Sequence, residues 1–294
     1  MELTAHQRIV EAAAMYRSGV VTGWAALAWT NARWFGEDDA APVPIALGIG
    51  HGGGTQKHLA VTDQEFLPPG EVMRIDGLRI TTPVRSVTYE MRRAATLTCA
   101  LEIADMACYS DLVSRDEIAR YCLTELPIQT GVGMVRDALP HIRENAWSPA
   151  EVRMRGIWLA ARPGATLMCN APVFSRNGVH LATPDLLDPV AGVYGEYEGS
   201  LHLLGERRAA DVAREEKLRS AGLEGATMVA SDAGNLTNFL ARLEGAHSRA
   251  IERSGARAWT LEKPAWWIDT STVAARRALS AAQRERLLRY RRAA

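Results

Sequence analysis

The sequence has no excess of charge of either sign, no cysteine pair with the spacing of a metal site, and no long apolar segment. Its 294 residues include 34 basic and 34 acidic side chains, so there is no overall positive field to attract nucleic acid. The four cysteines form no Cys-x-x-Cys pair for zinc, and their scattered, apolar surroundings predict free thiols in a reducing compartment. No segment is long and apolar enough to span a bilayer, and the N-terminus lacks the apolar core of a signal peptide. These absences predict a cytoplasmic protein.

Two short motifs match active-site sequences but lack the context that their chemistry needs. Gly48, Gly50 and Gly53 have the spacing of a dinucleotide-binding loop, which a helix must follow, whereas residues 55–61 are strand-like. The His-Gly-Gly-Gly tetrapeptide at 51–54 is typical of an esterase oxyanion hole, yet the chain has no Gly-x-Ser-x-Gly nucleophile. A flexible hairpin connection explains both patterns better.

Three acidic residues occur where two short predicted strands meet. Asp185 lies near the end of the first strand, and Glu196 and Glu198 share one face of the second because alternate residues of a strand point the same way. A turn from Asp188 to Gly192 would fold the first strand back onto the second. Clustered carboxylates repel one another unless a cation binds them, and hard divalent cations prefer oxygen ligands. The pattern therefore indicates a metal site.

Each of these acids, taken alone, also fits a solvated strand edge or turn. The second strand, Tyr-Gly-Glu-Tyr-Glu-Gly over residues 194–199, lacks the apolar face that an ordinary half-buried strand shows. Some constraint other than core burial therefore sets its pattern, which favours a functional role for the cluster.

The motifs in this region resemble those of the PD-(D/E)xK nuclease superfamily, and most closely its very-short-patch-repair endonuclease branch. The resemblance rests on Pro184-Asp185, Glu196-Tyr197-Glu198-Gly199, His202, and Asp211 with Arg214 at the start of a helix. It implies that Asp185 and Glu196 bind Mg²⁺ or Mn²⁺, together with Glu151 or Glu198. Glu151 would be the acidic residue of the helix with which such nuclease domains begin. Ser148 and Glu151 also match a capping box, which alone would explain both residues.

Glu198 stands where many members of the superfamily have lysine, so the group that activates the attacking water is left open. His202 could act as a general base near neutral pH, or could make a structural hydrogen bond near the strand end. Arg214 and Lys217, on the following helix, could stabilise charge that develops on a phosphate, or could lie on a solvated helix face.

The N-terminal residues 4–36 predict a helix, a break at Gly19, and a second helix from Thr22 to near Gly36. This rhythm is compatible with a helix-turn-helix element. Tryptophans recur at spacings of five in this segment, at positions 24, 29 and 34. We expect them to pack the small core of the element rather than to stack on bases.

Strand-like runs at 44–49, 57–61 and 72–80 follow, and then Thr82-Pro83 opens a helix. This order, with the segment Asp-Gly-Leu-Arg-Ile-Thr-Thr-Pro-Val-Arg-Ser-Val at 76–87, resembles the N-terminal part of AbiEi-like antitoxins. The resemblance covers roughly residues 5–125 and implies a winged-helix module that binds DNA or protein.

The second half alternates predicted helices and strands, which favours a central mixed sheet flanked by helices. The expected class is α/β (α+β), with a winged-helix-like region at 1–145, a restriction-endonuclease-like domain at 146–254 and an extension at 255–294. Tryptophans 259, 266 and 267 would dock this extension onto the domain. Its arginines could form a local DNA surface or a solvated basic helix: Arg276, Arg277, Arg284, Arg286, Arg289, Arg291 and Arg292.

The expected function is therefore metal-dependent hydrolysis of DNA, in restriction-like defence or in a toxin–antitoxin context. The alternative is a DNA-binding regulator or antitoxin whose nuclease-like domain is catalytically inactive. The expected partners are DNA and, in the second case, a toxin or another protein; a homodimer is compatible with both.

Overall fold

The protein divides into two compact units, Met1–Glu144 and Asn145–Ala294. A computed structural model describes residues 4–38, 40–50, 58–199 and 205–291, with the side chains of 205–212 and 290 outside the description. The second unit includes residues 255–294, which were predicted to form a separate extension. None of the helices in the described ranges has the length and apolarity needed to cross a membrane.

The first unit combines a sheet with helices. In chain order it contains α1 (Ala5–Met15), β1 (Val20–Val21), α2 (Gly23–Trp29), β2 (Val43–Leu47), β3 (Ala60–Gln64), β4 (Val72–Ile75), β5 (Leu78–Thr81), α3 (Pro83–Arg93), α4 (Leu97–Tyr109), α5 (Arg115–Thr124) and α6 (Val132–Ala138). The strand order is β3-β2-β1-β5-β4, with β1 parallel to β5 and β2 parallel to β3. The sheet is therefore mixed.

The predicted helix-turn-helix rhythm is wrong in two respects. The residues after Gly19 form β1 at the centre of the sheet, so the two helices flank a strand. The second helix ends at Trp29 rather than near Gly36, because Asn31 adopts a left-handed conformation with φ of 60° and stops it.

The tryptophans at 24 and 29 pack the core of the first unit, as predicted. Both lie against the buried cluster that includes Ile45 and Ile80. The Trp24 indole N–H donates to the Pro42 carbonyl, and the Trp29 indole N–H donates to the Ile75 carbonyl, each at 3.1 Å. Because their polar edges are satisfied internally, these indoles serve packing.

The second unit contains two sheets and flanking helices. Its elements are α7 (Pro149–Ala161), β6 (Met168–Cys169), β7 (Val173–Ser175), β8 (His180–Ala182), β9 (Leu186–Asp188), β10 (Val193–Glu198), α8 (Gly205–Ala221), β11 (Glu224–Val229), α9 (Thr237–Glu252), β12 (Trp259–Thr260), α10 (Val273–Arg277) and α11 (Ala281–Leu287). The larger sheet has the order β11-β10-β9-β6, and the smaller has the order β12-β7-β8. In the larger sheet β10 is antiparallel to β9 and parallel to β11, so it is a mixed sheet, as predicted.

Helices cover both faces of β10. A Cβ atom on Gly195 would lie 2.8 Å from Cζ3 of Trp158, so the α7 indole packs directly on this glycine. The neighbouring Tyr194 points to the opposite face and packs with Leu218 of α8. The apolar face that the β10 sequence lacks is thus supplied by an indole from α7.

The extension packs onto the second unit through its aromatic residues. Trp259 pairs with Ser175 between β12 and β7, and the ring of Trp267 lies 5.1 Å from those of Phe174 and His180. These contacts confirm that tryptophans dock the extension.

Candidate functional site

A tight turn joins β9 to β10. The Asp188 carboxylate accepts hydrogen bonds from the backbone N–H groups of Val190 and Ala191, each at 3.0 Å. Gly192 has a φ of 73° and donates its N–H to the Asp188 carbonyl at 2.9 Å. An aspartate at the start of a turn and a glycine in the left-handed region are the residues that such a turn requires. The turn therefore folds β9 back on β10, as the sequence predicts.

Asp185 immediately precedes β9 and lies beside the C-terminal part of β10. The last antiparallel pair joins Leu186 to Gly195, so the next step of the register brings Asp185 opposite Glu196. The carboxylate of Asp185 accepts a hydrogen bond from the Tyr197 backbone N–H at 2.7 Å. A strand amide thus fixes the orientation of this side chain.

Glu151 lies in the first turn of α7 and is buried. Its backbone N–H donates to the Ser148 hydroxyl at 3.2 Å, which caps the helix. Its carboxylate accepts hydrogen bonds from the Ser148 hydroxyl at 3.0 Å and from the Trp147 backbone N–H at 2.9 Å. The predicted capping role is therefore real, but it does not account for the burial of a carboxylate.

Asn170 connects the two acids, and it was not predicted as a site residue. Its backbone N–H donates to the Asp185 carbonyl at 2.9 Å, and its side-chain amide donates to the Glu151 carboxylate at 2.6 Å. The residue is buried and has a φ of 46°, a conformation that asparagine tolerates better than most residues. The only sequence signal is an asparagine in a turn-like Cys-Asn-Ala-Pro segment.

The environment of the two carboxylates favours their neutral forms. Burial raises the pKa of Glu151, and the nearby Asp185 charge raises it further. Burial also raises the pKa of Asp185, against the opposing influence of the Tyr197 hydrogen bond and the Arg214 charge. Two neighbouring acids that are both costly to ionise form a site that a cation would stabilise.

Glu196 makes a different contact from the one predicted for a free metal ligand. Its carboxylate forms an ion pair with the Arg214 guanidinium of α8, and its side chain is 16% exposed. Glu198, two residues further along β10, is exposed at the end of the strand. The structure thus brings Asp185 together with Glu151 on one side and with Arg214 on the other, and leaves Glu198 at the rim.

The remaining predicted residues lie further from this centre or outside the description. Lys217 is exposed, and its ammonium group donates to the His180 carbonyl at 3.0 Å. His202 lies outside the described residues, as does the side chain of Asp211. The proposed role of His202 as a base stays a prediction.

The C-terminal arginines do not all face solvent. Arg276 is fully buried and donates a hydrogen bond to the Thr270 carbonyl at 3.0 Å, so it is wrongly predicted as part of a DNA surface. Arg277, Arg286 and Arg289 are exposed. Arg292 lies outside the described residues. A basic surface in this region consists of fewer side chains than the sequence suggests.

The donor set suits a hard divalent cation, although it is small. Carboxylate oxygens are the ligands that Mg²⁺ and Mn²⁺ prefer, and a positive charge would offset the cost of ionising both the buried Glu151 and the partly buried Asp185. Among the described residues, no three histidine, cysteine or acidic side chains converge as a ligand cluster. A cation held by one or two carboxylates with water in its remaining positions is the usual arrangement for Mg²⁺.

Comparisons with known proteins identify no family for this chain. No protein-family model, curated protein or solved structure matches it.

Proposed function

We propose that the second unit is a metal-dependent nuclease in which Glu151 and Asp185 hold the cation. The observation that carries the proposal is this carboxylate pair, the buried Glu151 and the partly buried Asp185, which Asn170 links by hydrogen bonds. Additional support comes from the mixed sheet flanked by helices, which matches the architecture implied by the resemblance to PD-(D/E)xK nucleases.

Each protein group near the pair has a defined task in this proposal. The Tyr197 N–H orients Asp185, and the Asn170 amide with the Trp147 N–H orients Glu151. A divalent cation bound to the pair would lower the pKa of a bound water and offset charge on the phosphate. Arg214, which is paired with Glu196, supplies a positive charge beside Asp185 for the developing negative charge.

The test compares the wild type with Asp185→Asn, Glu151→Gln and a control, Glu244→Gln. Glu244 is 68% exposed in its pair with Arg162 and lies outside the site. Supercoiled, linear and single-stranded DNA are incubated with each protein in Mg²⁺, Mn²⁺ and EDTA. We expect cleavage that requires metal, falls at least ~100-fold in both site variants and persists in the control.

A second readout is the effect of Mn²⁺ on thermal unfolding. The melting temperature of the wild type should rise with Mn²⁺ concentration because the cation binds the folded state, and that of Asp185→Asn should not. Wild-type cleavage rates in both site variants would refute the site assignment.

The second candidate is a DNA-binding regulator or antitoxin with an inactive nuclease-like unit. The observation that favours it is the ion pair of Glu196 with Arg214, which occupies a carboxylate expected to bind metal. A protein without cleavage under all conditions, but with sequence-specific DNA binding or a bound toxin, would establish this alternative.

A further inference from the structure

A pocket of about 390 Å³ lies in the second unit beside the carboxylate pair. Its lining includes three tryptophans, Trp147, Trp266 and Trp267, and the polar residues Asn170, Thr183 and Arg286. The volume is within the range of about 300–1,000 Å³ that is usual for small-molecule sites. We call this cavity the tryptophan pocket.

Two tryptophans of the pocket differ in their surroundings: Trp267 packs against other rings, and Trp266 is largely exposed. Trp267 is held by ring contacts with Phe174 and His180, both at 5.1 Å between centroids. Trp266 meets Trp267 edge-on at 5.6 Å and is 59% exposed, although exposure of a large indole is costly. A planar aromatic ligand that stacks on Trp266 would cover this surface.

Asn170 provides the polar group that selects the ligand. Its side-chain amide donates to the Asn145 carbonyl at 2.8 Å and to the Glu151 carboxylate at 2.6 Å, so the orientation of the amide is fixed. Its carbonyl oxygen Oδ1 is buried and has no hydrogen-bond partner in the described part of the chain. A buried acceptor without a partner is costly, so the matching ligand carries an N–H donor at its edge.

A nucleobase is a planar ring with N–H donors at its edge, so it has both features. Asn170 also contacts the Glu151 carboxylate and the Asp185 backbone carbonyl, so a base in the tryptophan pocket would place its own backbone near the proposed cation site. Arg286 lines the same cavity and is exposed, which suits a phosphate of the same strand. The pocket and Arg286 would thus bind the base and a phosphate of one stretch of nucleic-acid strand.

We propose that the tryptophan pocket binds an unstacked nucleobase of a nucleic-acid strand, so that the protein selects single-stranded or locally unpaired nucleic acid. Bases in a duplex are stacked on both faces and must leave the stack before an indole can replace a neighbouring base. This inference rests on the proposed nuclease function, since it defines the substrate of the same site.

The test measures binding in EDTA, where cleavage by the proposed mechanism cannot occur. Fluorescence anisotropy compares a labelled single-stranded 12-mer, the matching duplex, and a 12-mer of abasic sugar-phosphate with the same charge. The wild type should bind the base-containing single strand about tenfold or more tightly than the abasic strand and the duplex. Free deoxyadenosine at millimolar concentration should reduce this preference, because it competes for the same pocket.

Three variants assign the preference to the pocket. Trp266→Ala should weaken binding of the base-containing strand about 5- to 100-fold and abolish its advantage over the abasic strand, whereas Trp266→Phe should retain most of it. The control Ile251→Ala removes an apolar side chain that is 81% exposed elsewhere in the unit and should change nothing.

Equal affinity of the wild type for base-containing and abasic strands would overturn the inference, as would an unchanged preference in Trp266→Ala. The outcome is separate from that of the nuclease proposal. A Trp266-dependent preference without any metal-dependent cleavage would reject the nuclease alone, and cleavage lost in Asp185→Asn without a base preference would reject the pocket alone.

Discussion

At the scale of single residues, the site depends on a few hydrogen bonds that hold two carboxylates in an unfavourable place. Asp185 could be identified from the sequence because a local turn positions it. Asn170 could not, because its importance comes from contacts with Glu151 and Asp185, 19 and 15 residues away in the chain. Similarly, the ion pair of Arg214 with Glu196 depends on how α8 packs against the sheet.

Replacing Asp185 by asparagine should stabilise the metal-free protein as the pH rises. The pKa of Asp185 is raised above its ordinary value of 3.8, so the folded state binds this proton more tightly than the unfolded state. The wild type therefore loses stability as the pH increases above that value, until the group is ionised in both states. An asparagine oxygen can still accept the Tyr197 hydrogen bond, and it carries no charge. One pKa unit corresponds to about 1.4 kcal/mol, and the pKa of Asp185 is raised to about 6. We therefore expect Asp185→Asn to be more stable by about 3 kcal/mol at about pH 8, and equally stable near pH 3.

Urea unfolding in EDTA at several pH values would measure this difference. Glu244→Gln is the control, because its side chain is exposed and should give a difference that is small at every pH. A stabilisation by Asp185→Asn that shrinks with rising pH would contradict the burial argument.

At the scale of elements, local sequence signals were reliable where they fix backbone geometry. The Asp188–Gly192 turn and the Thr82-Pro83 helix start both occur where predicted. The prediction of a helix-turn-helix element around Gly19 is wrong because a strand of two residues shows no periodicity in the sequence. Only the pairing of β1 with β2 and β5 makes it a strand.

Gly195→Ala tests the packing of α7 on β10. The added methyl group would lie 2.8 Å from the Trp158 ring, which is fully buried and has little room to move. We expect a loss of about 1–3 kcal/mol in the free energy of unfolding, measured in urea. Gly199→Ala is the matched control, since no atom of the described residues lies within 4 Å of the position that its methyl group would take, and it should change stability by much less. Equal effects of the two substitutions would refute this account of the packing.

At the scale of the whole molecule, each compact unit has a hydrophobic core of its own. In the first unit Ile9, Ile45 and Ile80 belong to one buried cluster, and in the second Leu187, Leu218 and Leu223 belong to another. Units of this size bury enough apolar surface to be stable separately.

We therefore expect residues 145–294 to fold alone and to unfold cooperatively in a calorimeter. In the full chain, Trp158→Ala should lower the melting temperature of one transition. The cavity that it creates in the second unit should reduce the free energy of unfolding of that unit by about 3–5 kcal/mol. Thermal scans of the full chain, the variant and the fragment would check this. Destabilisation of every transition by the same amount would argue against independent units.

The sequence by itself determined the mixed α/β class, the alternation of elements in the second half, the β9–β10 turn and the location of its acids. These features follow from periodicity, turn residues and helix caps, which act over a few positions. Tertiary structure decided that Glu151 is buried beside Asp185, that Arg276 is buried, and that three tryptophans line one pocket. Such outcomes depend on which distant segments pack together. Contacts between residues that are far apart in the chain leave no pattern within a short stretch of sequence.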